Sequence, residues 1–447
     1  MTADFDRALT LMEKSHEHIF VTGRAGTGKS TLLHLFRERT RKNIAVLAPT
    51  GVAAVNVKGQ TIHSFFGFRP DITFSKVKRV SEGSEIYARL ETIVIDEISM
   101  VRADLVDCID KFLRLNGPDR KRAFGGVQMI FIGDLYQLPP VVTSEEKNVF
   151  HAQYSSPYFF SASSFADAQV SLFEPEVQLQ YIELGEIFRQ TDHEFINILN
   201  AVRENTVDSV HLQKLNTRVQ QNKLVTSIKK KEVKKKTDMH MYLTTTNAAA
   251  AIINERELAN LQGDEYVFDG SVKGEFDSRS LPTEGRLKVK IGAQIMLLNN
   301  DVQGRWINGT VGKVKSVLYK KEVMTDAVIA ELETGEEVEI FPYEWDMYNF
   351  FFDENSGKIE SEAVGSFTQY PFRLAWAVTI HKAQGKTFEK VVLDLGRGTF
   401  SPGQLYVALS RCRTLEGLSL VKPVEKRHAF IDRNVVSFLK KYTELKK

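Results

Sequence analysis

The chain has 447 residues, 43% apolar and 26% charged, with a formal net charge of +2. That length exceeds one compact core, and no apolar run approaches the roughly 20 residues of a membrane span, so a multidomain chain with no membrane is expected. Its two cysteines, Cys108 and Cys412, lie too far apart for a metal site and read as free thiols of a reducing compartment, while the near-neutral charge still leaves room for a local basic groove.

The N-terminus carries Asp4 and Asp6 and lacks the basic-then-apolar build of a secretion leader. Phe5, Ala8, Leu9 and Met12 fall on one face of a short helix. Next, Ile19-Phe20-Val21-Thr22-Gly23-Arg24-Ala25-Gly26-Thr27-Gly28-Lys29-Ser30 passes from an apolar strand through a glycine loop into a helix. Glycines there let backbone N–H groups turn inward around a phosphate. The helix opening at Lys29 adds unpaired N–H groups and a positive dipole end. Gly23, Arg24, Ala25, Gly26, Thr27, Gly28, Lys29, Ser30 and Thr31 are thus the candidate nucleotide cradle. Lys29 reaches for the β- and γ-phosphates and the Ser30 hydroxyl for Mg²⁺.

A second apolar strand, Asn43 to Ala48, ends in Pro49-Thr50-Gly51. Strand carboxyl ends line the ligand crevice of open α/β sheets. Pro49, Thr50 and Gly51 can therefore touch a sugar–phosphate strand, although Thr50 equally suits a helix N-cap. His63 and Phe65 sit in an aromatic run, Thr61 to Phe68, able to stack on bases or to fill a core. Residues 69–89 are polar with scattered basic side chains and read as an excursion from the sheet. Thr92-Ile93-Val94-Ile95 then carries Asp96 and Glu97 at its tip. Asp96 can share the Mg²⁺ with Ser30, and Glu97 can orient and deprotonate water. A further strand ends at Gly133-Asp134, with Gln137 placed to sense a γ-phosphate.

These stretches resemble a known family. Gly-Arg-Ala-Gly-Thr-Gly-Lys-Ser, Ala-Pro-Thr-Gly-Val-Ala-Ala, Thr-Ile-His-Ser-Phe, Val-Ile-Asp-Glu-Ile-Ser-Met and Gly-Asp-Leu-Tyr-Gln-Leu-Pro-Pro-Val are similar to the motifs of the Pif (petite integration frequency) family of superfamily 1 DNA helicases. RecD-type helicases are its nearest relatives, and the likeness continues to residue 417. The resemblance implies an α/β fold of two RecA-like P-loop domains with ATP and Mg²⁺ between them. It divides the chain into a first RecA-like domain at 1–64 and 90–180, a wedge insertion at 65–89, a second RecA-like domain at 181–298 and 371–447, and a Src-homology-3-like barrel at 299–370.

On the same resemblance, Arg189 in Glu183 to Gln190 and Arg411 in Gly403 to Arg413 are arginine fingers. Thr245, Asn247, Asn308, Thr379, His381 and Lys382 would meet DNA, with Asn247 open to a plain capping role. Gln384 and Gly385 would report to the nucleotide, and Gln404 would couple the domains. The lysine-rich run 229–236 reads as a solvated loop with weaker attraction for phosphate. From 310 to 345 the pattern is short alternating strands with a turn at Thr334-Gly335. Trp345, Tyr348, Phe350, Phe351 and Phe352 read as core ahead of the alternative, base-stacking platforms.

One position departs from the family pattern. Family members read the adenine edge with a Gln ahead of the phosphate loop, and residues 1–22 contain none. Asp6 is the nearest polar candidate, and it can accept from the adenine amino group but cannot donate to N7.

The implied activity is ATP-dependent unwinding of DNA with 5′→3′ movement on a single strand, in repair, recombination, replication or telomere maintenance. Implied partners are single-stranded DNA, junctions with duplex and G-quadruplex DNA, met by a monomer or a DNA-induced dimer. The expected place is the cytoplasm, near a bacterial nucleoid, or the nucleus or mitochondrion for the core of a longer eukaryotic chain. A DNA-binding adaptor with a vestigial site would have lost one of Lys29, Asp96, Glu97, Gln137, Arg189 or Arg411, and all stand. The motor module of a nuclease complex is the other alternative, but the chain shows no nuclease acid cluster of its own.

Overall fold

The structure, a computed structural model, describes residues 2–69, 71–80, 85–143, 145–165, 179–188, 192–219, 239–276, 281–321, 325–353, 355 and 358–444. Arg189, Gln190 and the lysine-rich run 229–236 lie outside the described residues.

The first unit is a six-stranded sheet in the order β3-β2-β4-β5-β1-β6. Its strands are β1 (His18–Gly23), β2 (Ile44–Ala48), β3 (Gln60–Thr61), β4 (Thr92–Ile95), β5 (Gln128–Ile132) and β6 (Leu179–Leu184), and each pairs with its neighbours in parallel. Such strands are apolar along their whole length because helices cover both faces. On one face, α1 (Ala3–Lys14) and α2 (Lys29–Arg39) bury Phe5, Ala8, Met12, Leu32 and Phe36 against Ile19, Val21 and Val94. Thr2 caps α1 by accepting from the Phe5 N–H at 3.4 Å. On the other face, α6 (Ala103–Asn116) buries Val106, Ile109, Phe112 and Leu113 beside Phe20 and Phe131. Between them come α3 (Gly51–Asn56), α4 (Ile62–Phe65) and α5 (Glu85–Arg89), and after α6 comes α7 (Lys147–Gln153).

The sheet runs past the expected boundary at 180. In β6, Leu179 pairs with His18 and Leu184 with Gly23, so this strand forms an edge of the first sheet. Helices α8 (His193–Arg203) and α9 (Ser209–Asn216) lead into the second unit. Its sheet has the order β18-β7-β19-β20, all parallel, and opens with β7 (Met241–Thr244) and α10 (Asn247–Asn260).

A long antiparallel region interrupts it. Here β8 (Tyr266–Asp269) pairs with β10 (Arg286–Val289), and β9 (Ser271–Gly274) joins the ribbon of β15 (Tyr343–Asp353) and β16 (Lys358–Gln369). A five-stranded sheet gathers β11 (Gln294–Leu297), β12 (Val311–Lys320), β13 (Thr325–Leu332), β14 (Glu337–Ile340) and β17 (Phe372–Leu374). The turn between β13 and β14 holds Gly335 at φ +88°, as the Thr334-Gly335 pair implied. β18 (Ala377–Thr379), β19 (Val391–Asp394), α11 (Gln404–Leu409) and β20 (Leu418–Leu420) complete the second unit.

Two long-range dockings depart from the sequence reading. The ribbon β15–β16 reaches back to the first sheet: Gln60 Nε2 donates to Asn349, the Phe350 N–H donates to Gln60 Oε1 at 3.1 Å, and the Ile359 N–H donates to Asn43 Oδ1 at 3.1 Å. Trp345 is core as expected, but Phe350 meets Phe65 and Phe352 lies under the Arg89 guanidinium, so both pack between units. The last helix, α12 (Arg433–Glu444), also returns to the first unit: Phe438 stacks on Phe160 at 4.2 Å and Tyr442 on Tyr181 at 5.2 Å. An amphipathic helix records that it has an apolar face but not whose core takes it. Among the described residues no helix is long and apolar enough to cross a membrane.

Candidate nucleotide-hydrolysis site

The glycine loop stands at the carboxyl end of β1. Gly26 and Gly28 take φ +83° and +85°, a conformation that side-chain-bearing residues rarely adopt. Lys29 Nζ donates to the Gly23 and Arg24 carbonyls at 2.8 and 3.1 Å. Three contacts reach the loop from elsewhere. The Phe188 N–H donates to the Gly26 carbonyl at 2.9 Å, the Ala25 N–H donates to the Tyr406 hydroxyl at 2.9 Å, and Arg24 pairs with Glu204 at 3.5 Å.

Asp96 and Glu97 follow β4 as expected. Glu97 sits at φ +51°, a strained position for a residue with a side chain, of the kind found at working sites. Burial, with Glu97 beside it, pushes the Asp96 carboxyl up to about 7. Burial also raises Glu97, against the pull of Lys29 and Arg411. Gln384 bridges the units: its Nε2 donates to Glu97 Oε2 at 3.2 Å and to Gln137 Oε1 at 3.0 Å. Arg411 is fully buried, with Nε donating to Val407 O at 2.9 Å, Nη1 to Lys386 O at 3.1 Å and Nη2 to Ser410 Oγ at 2.7 Å.

These groups line one cleft of about 1360 Å³. Its walls carry the loop 25–31, Asp96, Glu97, Gln137, Phe188, Gly385 and Arg411, and the segment 304–310 between β11 and β12. No group of three or more His, Cys, Asp or Glu able to hold a metal occurs among the described residues. The Ser30 hydroxyl and the half-buried Asp96 carboxyl both stand on the cleft wall, where they could offer oxygens to a hard cation such as magnesium, usually held by one or two protein oxygens with the rest from phosphates and water.

The base end differs from expectation. Thr2 and Phe5 line the cleft, whereas Asp6 is exposed on α1 and does not. One residue advances a helix by about 100°, so turning Phe5 inward turns Asp6 out. Phe188, 61% exposed, stands near Phe5 across Gly28 and offers a stacking face. Phe188→Ala is expected to raise the KM for ATP about tenfold with kcat little changed, since stacking on a base contributes ~1–3 kcal/mol. An unchanged KM in steady-state assays would remove Phe188 from the base.

The proposed strand contacts divide into two groups. Thr50 is exposed and its hydroxyl accepts from the Ala53 N–H at 3.3 Å, so it caps α3 while Pro49 and Gly51 flank it. His63 is half-buried, and burial lowers its pKa. Thr246, not Asn247, caps α10, accepting from the Ala249 N–H at 3.3 Å and leaving Asn247 exposed beside half-buried Thr245. His381 is half-buried and Lys382 exposed.

The other three are placed differently. Phe65 is 5% exposed, inside an aromatic cluster with Phe66, Tyr87 and Phe350, and cannot offer a face to a base. Thr379 is buried and its hydroxyl accepts from the Lys382 N–H at 3.3 Å, shaping the turn. Asn308 lies on the cleft wall, donating to Asn56 Oδ1 at 3.2 Å and accepting from Lys386. Gln404 is buried, its Oε1 accepting from the Phe400 N–H at 3.0 Å while Nε2 has no hydrogen-bond partner. Beside it Gly403, at φ +70°, packs so closely that a Cβ would fall 2.2 Å from the Tyr136 carbonyl oxygen. The sequence reading missed Tyr406, Phe188 and Arg203 at this interface.

A family model described as PIF1-like helicase matches residues 5–213. The ATP-dependent DNA helicase Pif1 of Bdellovibrio bacteriovorus is 31% identical, across 98% of this chain and 91% of that protein. The chain belongs to the Pif1-like helicases. Among solved Pif1 structures, that of Bacteroides sp. Pif1 in complex with ADP-AlF4 is 34% identical and aligns with a TM-score of 0.85, covering 99% of this chain and 97% of that one. Bacteroides Pif1 bound to ssDNA, at the same 34% identity and the same coverage of 99% and 97%, aligns with a TM-score of 0.66. Unliganded Bacteroides sp. Pif1 aligns as well as the ADP-AlF4 complex, with a TM-score of 0.84, so the unit arrangement here is nearer to those two structures than to the ssDNA-bound one.

Proposed function

We propose that this Pif1-like chain is an ATP-dependent DNA helicase that moves 5′→3′ along single-stranded DNA and opens duplex ahead of it. The observation that carries the reading is the Gln384 bridge, which ties Glu97 and Gln137 of the first unit to the second at the phosphate end of the cleft. The two parallel sheets are the RecA-like units of this motor, residues 65–89 its wedge, and the antiparallel region its barrel insertion.

Lys29 and the loop amides bind the triphosphate of ATP. Ser30 and Asp96 would hold Mg²⁺, which neutralises phosphate charge when bound. Glu97 accepts the proton of the attacking water. Arg411, with Arg189, meets the charge that develops on the transferred phosphate. Gln137 and Gln384 change partners as the phosphate leaves, and Gln404 passes the change to α11. Thr50, His63, Thr245, Asn247, His381 and Lys382 grip the strand in turn. Forks and G-quadruplexes reached from a 5′ single-stranded tail are its substrates, in the nucleoid region of a bacterium or the nucleus or mitochondrion of a eukaryote.

For the wedge, Phe66 and Phe68 are buried, and the exposed aromatic of the excursion is Phe74, at 54%. Lys111 braces it, with Nζ 4.3 Å from the ring centroid and donating to the Phe74 carbonyl at 2.7 Å. Unstacking a base step costs only a few kcal/mol, so one braced ring can part a fork.

The test compares partial duplexes. Unwinding is expected with a 5′ tail and not with a 3′ tail alone, and ATP turnover should rise strongly on adding single-stranded DNA. Phe74→Ala should slow unwinding more than turnover. Efficient opening from a 3′ tail overturns the polarity; turnover indifferent to DNA overturns the motor.

A further inference from the structure

Helix α8 enters the interface with two adjacent charged residues. Glu204, just past its end, pairs with Arg24 of the phosphate loop. Arg203, in its last turn, is 4% exposed and points at the end of β5. Its Nη2 donates to Asp134 Oδ1 at 3.3 Å and lies 4.0 Å from Glu183, and its guanidinium lies 4.2 Å from the centroid of the Tyr136 ring. Its Nε has no hydrogen-bond partner. A buried guanidinium offers five donors in a rigid fork, and here one contact to a fully buried carboxylate is long and another donor is unused. Such a pair has room to tighten into a two-pronged contact.

Asp134 is the hub on the first unit. Its Oδ1 accepts from the Tyr136 N–H at 3.2 Å, its carbonyl from the Gln137 N–H at 3.0 Å, and its Oδ2 from the Gln137 side chain at 3.4 Å. The other end of that Gln137 amide accepts from Gln384, which also holds Glu97. An unbroken line of polar contacts therefore runs from Arg203 through Asp134, Gln137 and Gln384 to the carboxylate placed to activate water.

We propose that Arg203 is a positioning residue for ATP hydrolysis: from α8 it fixes Asp134, and through Asp134 it sets the Gln137 amide against Gln384 and Glu97, so that the line is complete only when the two units are docked. This rests on the helicase reading above and adds to it the side chain by which the second unit controls the first. Arg203 is not among the residues that line the cleft. It acts on the rate of the step and not on nucleotide affinity.

The experiment uses the full chain with saturating single-stranded DNA. Arg203→Met should lower DNA-stimulated kcat about tenfold or more while the KM for ATP, and the Kd of a fluorescent ADP, stay within about threefold, the pattern of a contact that matters only in the transition state. Arg203→Lys, which keeps the charge but loses the guanidinium held over Tyr136, should fall between. Combining Arg203→Met with Gln137→Ala should cost little beyond the worse single change, because both cut one line. If Arg203→Met does not fold, Asp134→Asn, of nearly unchanged volume, should give the same loss in kcat with KM held. A purely structural Arg203 would lower the melting temperature yet leave kcat per folded molecule intact, and its effect would multiply with that of Gln137→Ala; either result overturns the proposal. Lys29→Ala separates the two readings: stimulated turnover that survives it would sink the helicase reading itself.

Discussion

Glu97→Gln is expected to cut DNA-stimulated ATP turnover by about 10³-fold, within the range that a positioned general base contributes. The substitution keeps the shape of the side chain and an oxygen able to accept from Gln384, whose donor lies 3.2 Å away. What it removes is the carboxylate, a group basic enough to take the proton from water. Burial holds the Glu97 carboxyl above its ordinary range, which suits a group that must accept a proton and later release it. Nucleotide affinity should hold or improve, since a buried negative charge near the phosphates is gone. Steady-state turnover and binding of a fluorescent nucleotide, measured on one preparation, check both statements. Turnover within about tenfold of the parent would show that Glu97 is not the base.

The left-handed backbone of Glu97 was not legible in the sequence, though its place at the tip of β4 was. The reason separates what could be read from what could not. The phosphate loop, the acids after β4 and Gln137 after β5 each belong to a contiguous strand-then-turn segment, and parallel strands deliver their tips to one edge. Local sequence therefore carried the nucleotide site.

Contacts made at long range left weaker traces. Phe195, Ile198, Leu199 and Val202 mark the apolar stripe of α8, and Arg203 continues that spacing. A charge on an apolar stripe is the signal that could have singled it out, but only the fold supplies Asp134 as its partner. Phe65 failed as a strand contact for the converse reason. A run rich in aromatics fits a stacking surface and a core equally well, and the ribbon that covers Phe65 arrives from residue 350. The boundary at 180 shifted because β6 resembles any strand, and its partner β1 lies far back in the chain. α12 fell within the stretch 371–447 expected in the second unit, and Phe20, Phe159 and Phe160 of the first unit claim it instead.

Arg411→Ala is expected to lower DNA-stimulated kcat by ~10³-fold or more, the scale on which an arginine finger acts. The residue lines the cleft with Glu97 and the phosphate loop, and three carbonyls and one hydroxyl of its own unit hold its guanidinium. Those bonds fix the fork before nucleotide arrives, so little ordering is left for the moment of reaction. They also mean that truncation leaves buried carbonyls without their donor, and some loss of melting temperature should accompany the loss of rate. The two effects are told apart by assaying the folded fraction below its melting range. Arg411→Lys serves as the second variant: it keeps one positive charge but cannot reproduce bonds from Nε, Nη1 and Nη2 together. If Arg411 stabilises developing charge through its planar fork, Lys should recover little of the rate while nucleotide binding stays near that of the parent. If it only ties α11 to the segment around Lys386, both variants should melt earlier yet turn over ATP within about tenfold of the parent, and the charge-stabilising role would pass to Arg189 alone.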